Sequence, residues 1–159
     1  MTCEIKGCDE KSFLLFLEQW EIYHADDDKD DVDGKDYFEN AEERFSSYIK
    51  RSEKVEKIYK NIEHLIDNDF VSGIQAIYYF GRDGENREDF YKEYCDFYNI
   101  YYKSHDSLEC RLDMLFEKTN FKLFIIKSLV KLGRKDILKN IKIDDDYKER
   151  LNITDDDLI

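Results

Sequence analysis

The sequence predicts an all-α fold, and three observations lead to this prediction. The 159 residues include no proline and only six glycines, whereas β-sandwiches and barrels need many tight turns. One long stretch carries a heptad repeat of apolar residues, and no extended strand-like alternation occurs. With 42% apolar and 15% aromatic residues, the chain can bury a core without a metal or a disulfide. We therefore expect a single-domain helical bundle of about six to eight helices.

The first predicted helix runs from about Lys11 to His24, with Asp9 as its N-cap. Its apolar residues recur at helical spacing and form one broad face. They are Phe13, Leu14, Phe16, Leu17, Trp20 and Tyr23. Residues 26–36 follow as an acidic loop, in which seven acids and two lysines give a net charge of −5.

The next stretch, about 36–66, is predicted to form one long central helix on which the bundle is built. Apolar residues recur there with alternating steps of three and four, which is a heptad seam without glycine or proline. The seam consists of Phe38, Ala41, Phe45, Tyr48, Ser52, Val55, Tyr59, Ile62 and Ile66. Two helices broken near Ser52, which can act as an N-cap, are the alternative. Bulky aromatic residues in the seam favour an intramolecular bundle over a two-stranded coiled coil.

The rest of the chain predicts shorter helices. In order, these are one from Asp69 to Gly81, one from about Asn86 to Tyr102, one opened by Asp106 and Glu109 as a capping box, one from Phe121 to Leu132 that ends at Gly133, and a short one carrying Ile137, Leu138 and Ile141. Residues 1–143 then form the all-α domain. Residues 144–159, with seven acids and two bases, form an acidic C-terminal tail that is prone to fray.

The formal net charge of −13 limits the partners of this chain. Such a surface repels phosphate backbones and anionic membranes, so we expect neither direct nucleic-acid binding nor membrane binding. A basic protein is the electrostatically natural partner. No apolar run is long enough to span a membrane, and Met1–Lys6 lack the features of a signal peptide. We therefore expect a cytoplasmic protein whose four cysteines are free thiols.

Acidic residues of the loop and the tail are the predicted binding site for a basic protein partner. They are Asp26, Asp27, Asp28, Asp30, Asp31, Asp33 and Asp36 in the loop, and Asp144, Asp145 and Asp146 in the tail. The segment 121–142 has the opposite sign, with seven bases and one acid. It either forms an external contact surface or folds back on the acidic segments of its own chain.

The motifs of metal binding and catalysis are incomplete. When Gly34 is set at position 6 of an EF-hand, Lys29 falls at position 1 and Asn40 at position 12, so two acidic ligands are missing. A weak cation site remains an alternative. Glu21 and His24 have the Glu-x-x-His spacing of a di-iron helix, but no second such motif occurs. The sequence also lacks a zinc-protease motif, a glycine-rich phosphate loop and a nucleophile elbow. We expect no enzymatic activity, no cofactor and no metal.

Two short stretches resemble a family of bacterial inhibitors. The segment Asp36-Tyr-Phe-Glu39 opens a long charged helix, and Ile74-Gln-Ala-Ile-Tyr78 follows. Together they resemble the helical immunity proteins of bacterial polymorphic nuclease toxins. The resemblance implies an acidic cytoplasmic protein without an active site, which neutralises a basic toxin or nuclease. This is the leading functional hypothesis.

A second resemblance supplies an alternative function. The residues Arg134-Lys-Asp136-Ile-Leu138 resemble the R-x-D-[IL]-L motif near the end of death effector domains. It implies an adaptor module that binds other proteins through helix–helix contacts, with Arg134 and Asp136 as the interaction site. The stretch from Asp106 to Phe121 is shorter than in that family, and an ordinary helix–glycine–helix junction explains the same residues.

Overall fold

The computed structural model describes residues 4–25, 41–85 and 88–158. Over these residues 74% of the chain is helical and no strand occurs, which confirms the predicted all-α class. The helices are α1 (Glu10–His24), α2 (Ala41–Ile62), α3 (Asn68–Asp83), α4 (Phe90–Tyr102), α5 (Leu108–Glu117), α6 (Phe121–Lys131), α7 (Lys135–Leu138) and α8 (Asp145–Leu151). Two short 3-10 helices cover Glu63–Leu65 and Asp155–Leu158.

The helices belong to two compact units. The inserted unit is Leu15–Leu65, and the main unit comprises the residues up to Leu14 together with those from Ile66 onward. The chain passes from one unit to the other within α1 and again after the first 3-10 helix. The division of the chain into a domain over 1–143 and a tail over 144–159 stays a prediction.

In the inserted unit, α2 runs without a break across Ser52, so the alternative of two helices near that residue is not observed. The helix ends at Ile62 and tightens into a 3-10 turn; its predicted start near residue 36 lies outside the described residues. The contacts between α2 and α1 include two hydrogen bonds of the described residues. The Lys54 ammonium donates to the Tyr23 carbonyl at 2.9 Å, and the Asn61 amide donates to the Gln19 side-chain carbonyl at 3.2 Å.

The described part of the heptad seam is buried towards its C-terminal end. Ile62 is fully buried, Val55 and Tyr59 are half-buried, and Ser52 is exposed. Ile58, which the seam does not include, is also buried, because it lies one turn before Ile62 on the same face. Phe38 and the side chains of Ala41, Phe45 and Tyr48 lie outside the described residues.

The most deeply buried helix of the main unit is α3, in which every residue from Phe70 to Gly81 is buried. Apart from Gln75, the residues of this stretch are apolar, aromatic or small, which is typical of a helix that neighbours surround. The N-cap is Asp67, whose carboxylate accepts the Phe70 N–H at 2.8 Å. The cap therefore precedes the predicted Asp69, which lies within the first turn.

The predicted end of this helix at Gly81 is wrong, because α3 continues through Gly81 to Asp83. Position 81 requires a glycine for a different reason. A Cβ atom there would overlap the Phe124 carbonyl oxygen of α6, so glycine allows the two helices to approach closely. The Ser128 hydroxyl of α6 donates to the Ile77 carbonyl of α3 at the same crossing.

The other helices of the main unit are arranged around α3. The helices α4 and α6 pack most extensively against it, α5 also contacts it, and α7 and α8 pack on α6. The N-cap of α5 is Ser107, whose hydroxyl accepts the Cys110 N–H at 3.1 Å, one residue after the predicted Asp106. Gly133 has φ of +70° after α6, which confirms the predicted helix end there.

Candidate functional site

The acidic tail residues Asp144, Asp145 and Asp146 lie together at the start of α8. The Asp144 backbone is extended and occupies the N-cap position, although its side chain makes no capping bond, and the other two lie in the first helical turn. All three are exposed. Carboxylates at this position interact favourably with the N-terminal end of the helix dipole, which explains why an acidic sequence forms a helix here. The structure thus brings the three predicted tail residues together.

Few of the charges in this segment are neutralised by close pairs. Lys148 lies 3.8 Å from Asp145 and 3.2 Å from Asp155, while Arg150 lies 4.0 Å from Asp146. Such exposed pairs contribute little to stability. Seven acids against these two bases leave residues 144–158 with a net charge of −5. We call residues 144–158 the acidic segment.

The acidic segment is anchored to the main unit. Its helix α8 packs on α6, and the Lys122 ammonium lies 5.8 Å from the centre of the Tyr147 ring. The 3-10 helix that follows contacts α7, and its first turn is held by Asp157, whose carboxylate accepts the Thr154 N–H at 2.8 Å. The carboxylates are therefore presented from a folded surface.

The predicted loop residues lie outside the described part of the chain. They are Asp26, Asp27, Asp28, Asp30, Asp31, Asp33 and Asp36. Their contribution to an acidic binding site stays a prediction.

The alternative interaction site, Arg134 and Asp136, forms a two-point ion pair at the junction of α6 and α7. The guanidinium donates to both carboxylate oxygens, at 3.0 and 2.9 Å. This contact holds the pKa of Asp136 below its ordinary value. The Arg134 side chain is only 13% exposed, while that of Asp136 is 40% exposed. Both charged groups are thus engaged with each other at a turn within the main unit.

The basic segment 121–142 is divided between internal and external roles. Lys122 is buried beside Tyr147. Lys131 donates to the Gly84 carbonyl at 3.0 Å, and its ammonium lies 5.3 Å from the centre of the Phe80 ring. By contrast, Lys135, Lys139 and Lys142 are exposed. One lysine therefore lies against the acidic segment while others face solvent. Whether the exposed lysines form an external contact surface stays a prediction.

The residues considered for metal binding and thiol chemistry have other surroundings. Within residues 4–25, 41–85 and 88–158, no three side chains of His, Cys, Asp or Glu come together as a metal site. His24 lies between aromatic rings, with ring centres 4.6 Å from Trp20 and 4.9 Å from Tyr23. Burial raises the pKa of the Cys8 thiol, which lowers its reactivity as a nucleophile.

The structure also contains a buried cation that the sequence reasoning missed. Arg111 of α5 is 2% exposed. It donates to Gln75 Oε1 at 2.7 Å, to Asn68 Oδ1 and Ser72 Oγ at 2.9 Å each, and to the Tyr101 carbonyl at 3.0 Å. Burial lowers the pKa of this guanidinium. The signal was present, because Arg111 occupies the helix face that also carries Leu108 and Leu115.

This cluster joins α3, the end of α4 and α5 through neutral acceptors. No carboxylate of the described residues lies within ion-pair distance of the guanidinium. No buried side-chain nitrogen or oxygen in that part of the chain lacks a hydrogen bond. We therefore regard the Arg111 cluster as a structural junction of the core.

Two further findings concern the chain as a whole. A helix that spans a bilayer requires about 20 apolar residues, and no helix within 4–25, 41–85 and 88–158 meets this requirement. No model of a known protein family, no curated protein and no solved structure matches this chain.

Proposed function

We propose that this chain is a non-enzymatic inhibitor that binds a basic protein, such as a toxin or nuclease, through its acidic surface. The observation that carries the proposal is the exposed acidic segment, in which Asp144, Asp145 and Asp146 project from one folded helix start. A cluster of like charges held on a folded surface presents a defined electrostatic target to a partner of opposite sign.

Charge over the whole chain supports the same proposal. The net charge is −13, of which the acidic segment carries −5 and the loop 26–36 another −5. A field of this size speeds the encounter with a basic protein, and its effect weakens as salt shortens the screening length. The same field repels nucleic acid, so a nuclease bound here would be kept from its substrate by occlusion and by charge.

The resemblance to immunity proteins supports an inhibitor over a structural protein. It depends on Asp36–Glu39 and Ile74–Tyr78, and it implies action in the cytoplasm without cofactor or metal. The death-effector alternative depends on Arg134 and Asp136. Because these two side chains bond to each other, a partner would have to break that pair, and we therefore place this alternative second.

A comparative capture experiment tests the proposal. The immobilised chain is exposed to lysate of the source organism at about 0.1 M salt and again at about 1 M, where the screening length falls from about 10 Å to about 3 Å. The test variant carries Asp144→Asn, Asp145→Asn and Asp146→Asn. A control variant removes the same number of charges elsewhere, through Glu53→Gln, Glu56→Gln and Glu63→Gln. The three glutamates of the control are exposed and lie in the inserted unit.

We expect the wild-type chain and the control variant to retain the same basic protein at low salt, and the test variant to retain less of it. Adding the wild-type chain to the purified captured protein should then suppress that protein's activity. Capture of acidic and basic proteins alike, or equal capture by the test variant, would contradict the proposal. If the activity of the captured protein is unchanged, the chain binds that protein without inhibiting it, and the proposed inhibition is refuted.

A further inference from the structure

The segment Glu4–Asp9, which precedes α1, lies against α3 and α4 of the main unit. Its Ile5 and Cys8 side chains are buried. The Lys6 N–H donates to the Tyr94 hydroxyl at 3.0 Å, and the Lys6 ammonium lies 5.4 Å from the centre of the Tyr98 ring. We call Glu4–Asp9 the leading segment, and the surface of α3 and α4 beneath it the cleft.

Two glycines allow the backbone of the leading segment to contact α3 closely. Gly7 has φ of +73°, and a Cβ atom there would overlap the Asp69 carbonyl oxygen at the start of α3. Gly73 lies one turn further along α3, and a Cβ atom there would overlap the Lys6 carbonyl oxygen. Outside the helix's own backbone, the three heavy atoms nearest to such a Cβ belong to Lys6 and Cys8 of the leading segment. The helix surface is therefore shaped for a main chain that crosses it.

The cleft also offers a specific polar contact to that main chain. Tyr94 is fully buried, and burial raises the pKa of its phenol. Its hydroxyl accepts the Lys6 N–H. The Cys8 N–H donates to the Ile5 carbonyl at 3.4 Å, so the cleft binds the leading segment as a turn, through one backbone amide. In the leading segment, the apolar Ile5 precedes Lys6 and Gly7 follows it. The cleft therefore binds a turn through one main-chain hydrogen bond, close backbone packing at Gly7 and Gly73, and burial of Ile5 and Cys8.

The leading segment continues into the start of α1, whose residues up to Leu14 also belong to the main unit. The chain then reaches α3 through Leu15–Leu65, which form a compact unit of their own. The contacts with α3 and α4 depend on the segment's residues and not on this connection. A second copy of the chain carries the same residues, and exchange of an identical element between copies is a low-cost route to a dimer. The local copy keeps an advantage because its effective concentration is high.

We propose that the cleft over Gly73 is a peptide-binding site, and that the leading segment of a second copy of this chain can occupy it in place of the local one. This site goes beyond the proposed function, since it involves neither the acidic segment nor a basic partner. Two single substitutions in the full chain test the leading segment and the cleft separately.

The Gly7→Ala variant keeps the cleft but disables its own leading segment, because alanine is strained at φ of +73° and overlaps Asp69. The Gly73→Ala variant keeps the leading segment but blocks its own cleft, while alanine favours the helix. Each variant alone should be monomeric. Mixed at equal concentration, the two should form a one-to-one complex in sedimentation analysis, with an association at least about tenfold stronger than that of either variant with itself.

The double variant Gly7→Ala/Gly73→Ala is the matched control, and it should not associate with the Gly7→Ala variant. Absence of a complex between two folded single variants would overturn the proposal. If either variant fails to fold, hydrogen exchange of the wild-type chain decides. Exchange of the Lys6 amide at least about tenfold faster than that of the slowest α3 amides supports a separable segment. Equal rates would mean that the segment opens only when the whole unit unfolds, which would also overturn the proposal.

Discussion

Replacement of Arg111 by methionine tests how the core tolerates a buried cation. A sum over its four hydrogen bonds, at about 1.5–3 kcal/mol each, would predict a loss of about 6–12 kcal/mol. The structure predicts a smaller loss, because two acceptors keep other partners. The Tyr101 carbonyl still accepts the Ser104 N–H at 3.1 Å, and Asn68 Oδ1 still accepts the Ser72 hydroxyl at 3.3 Å.

Only Gln75 Oε1 loses its single hydrogen-bond partner, and one buried unsatisfied acceptor costs about 1–3 kcal/mol. Removing a desolvated charge offsets part of this cost. We therefore expect Arg111→Met to lower the free energy of unfolding in urea by about 1–3 kcal/mol. Adding Gln75→Leu, which removes the unsatisfied acceptor, should recover part of the loss. A loss above about 5 kcal/mol, or a double variant no more stable than Arg111→Met alone, would refute this reasoning.

Three further predictions concern other parts of the chain. Ile62→Asp should unfold the chain or cost several kcal/mol, because Ile62 is fully buried, whereas Ile49→Asp on the same helix should change the melting temperature little, because Ile49 is 38% exposed. The Arg134–Asp136 pair should stabilise the fold above pH of about 4 and lose this effect as the pH falls through the lowered pKa of Asp136. The small difference in urea midpoint between the wild type and Arg134→Gln should therefore close at low pH. A difference that grows on acidification would contradict this prediction. Millimolar calcium should raise the melting temperature by less than about 2 °C, and a micromolar calcium site in calorimetry would contradict the interpretation of loop 26–36.

The fold class could be predicted because helix periodicity is a local property of the sequence. Stripes with steps of three and four give the right helices near α1, α2, α4 and α6. The dominant role of α3 in the main unit was harder to predict. A stripe of apolar residues predicts a helix but does not show how many neighbours will bury it, and its glycine at position 81 looks like a helix end until the close approach of α6 is known.

The candidate site could be predicted only in part. Charge counts identify Asp144, Asp145 and Asp146. These residues lie together because they begin one helix, and the interaction of their carboxylates with the helix dipole is local in sequence. Long-range polar contacts could not be predicted in the same way. The partners of Arg111 come from α3 and the end of α4, and the Lys6 contact with Tyr94 joins residues 88 positions apart. Such pairs are set by tertiary packing.

The rate of association between this chain and its captured basic protein tests the central claim most directly. The rate is measured by stopped flow over a series of salt concentrations, for the wild type, for the variant with asparagine at Asp144, Asp145 and Asp146, and for the control variant described above. We expect this test variant to associate several-fold more slowly than the wild type at low salt. The difference should close as the screening length falls to about 3 Å. The control variant should stay closer to the wild type. Equal rates for all three proteins at low salt would contradict the claim that the acidic segment directs binding.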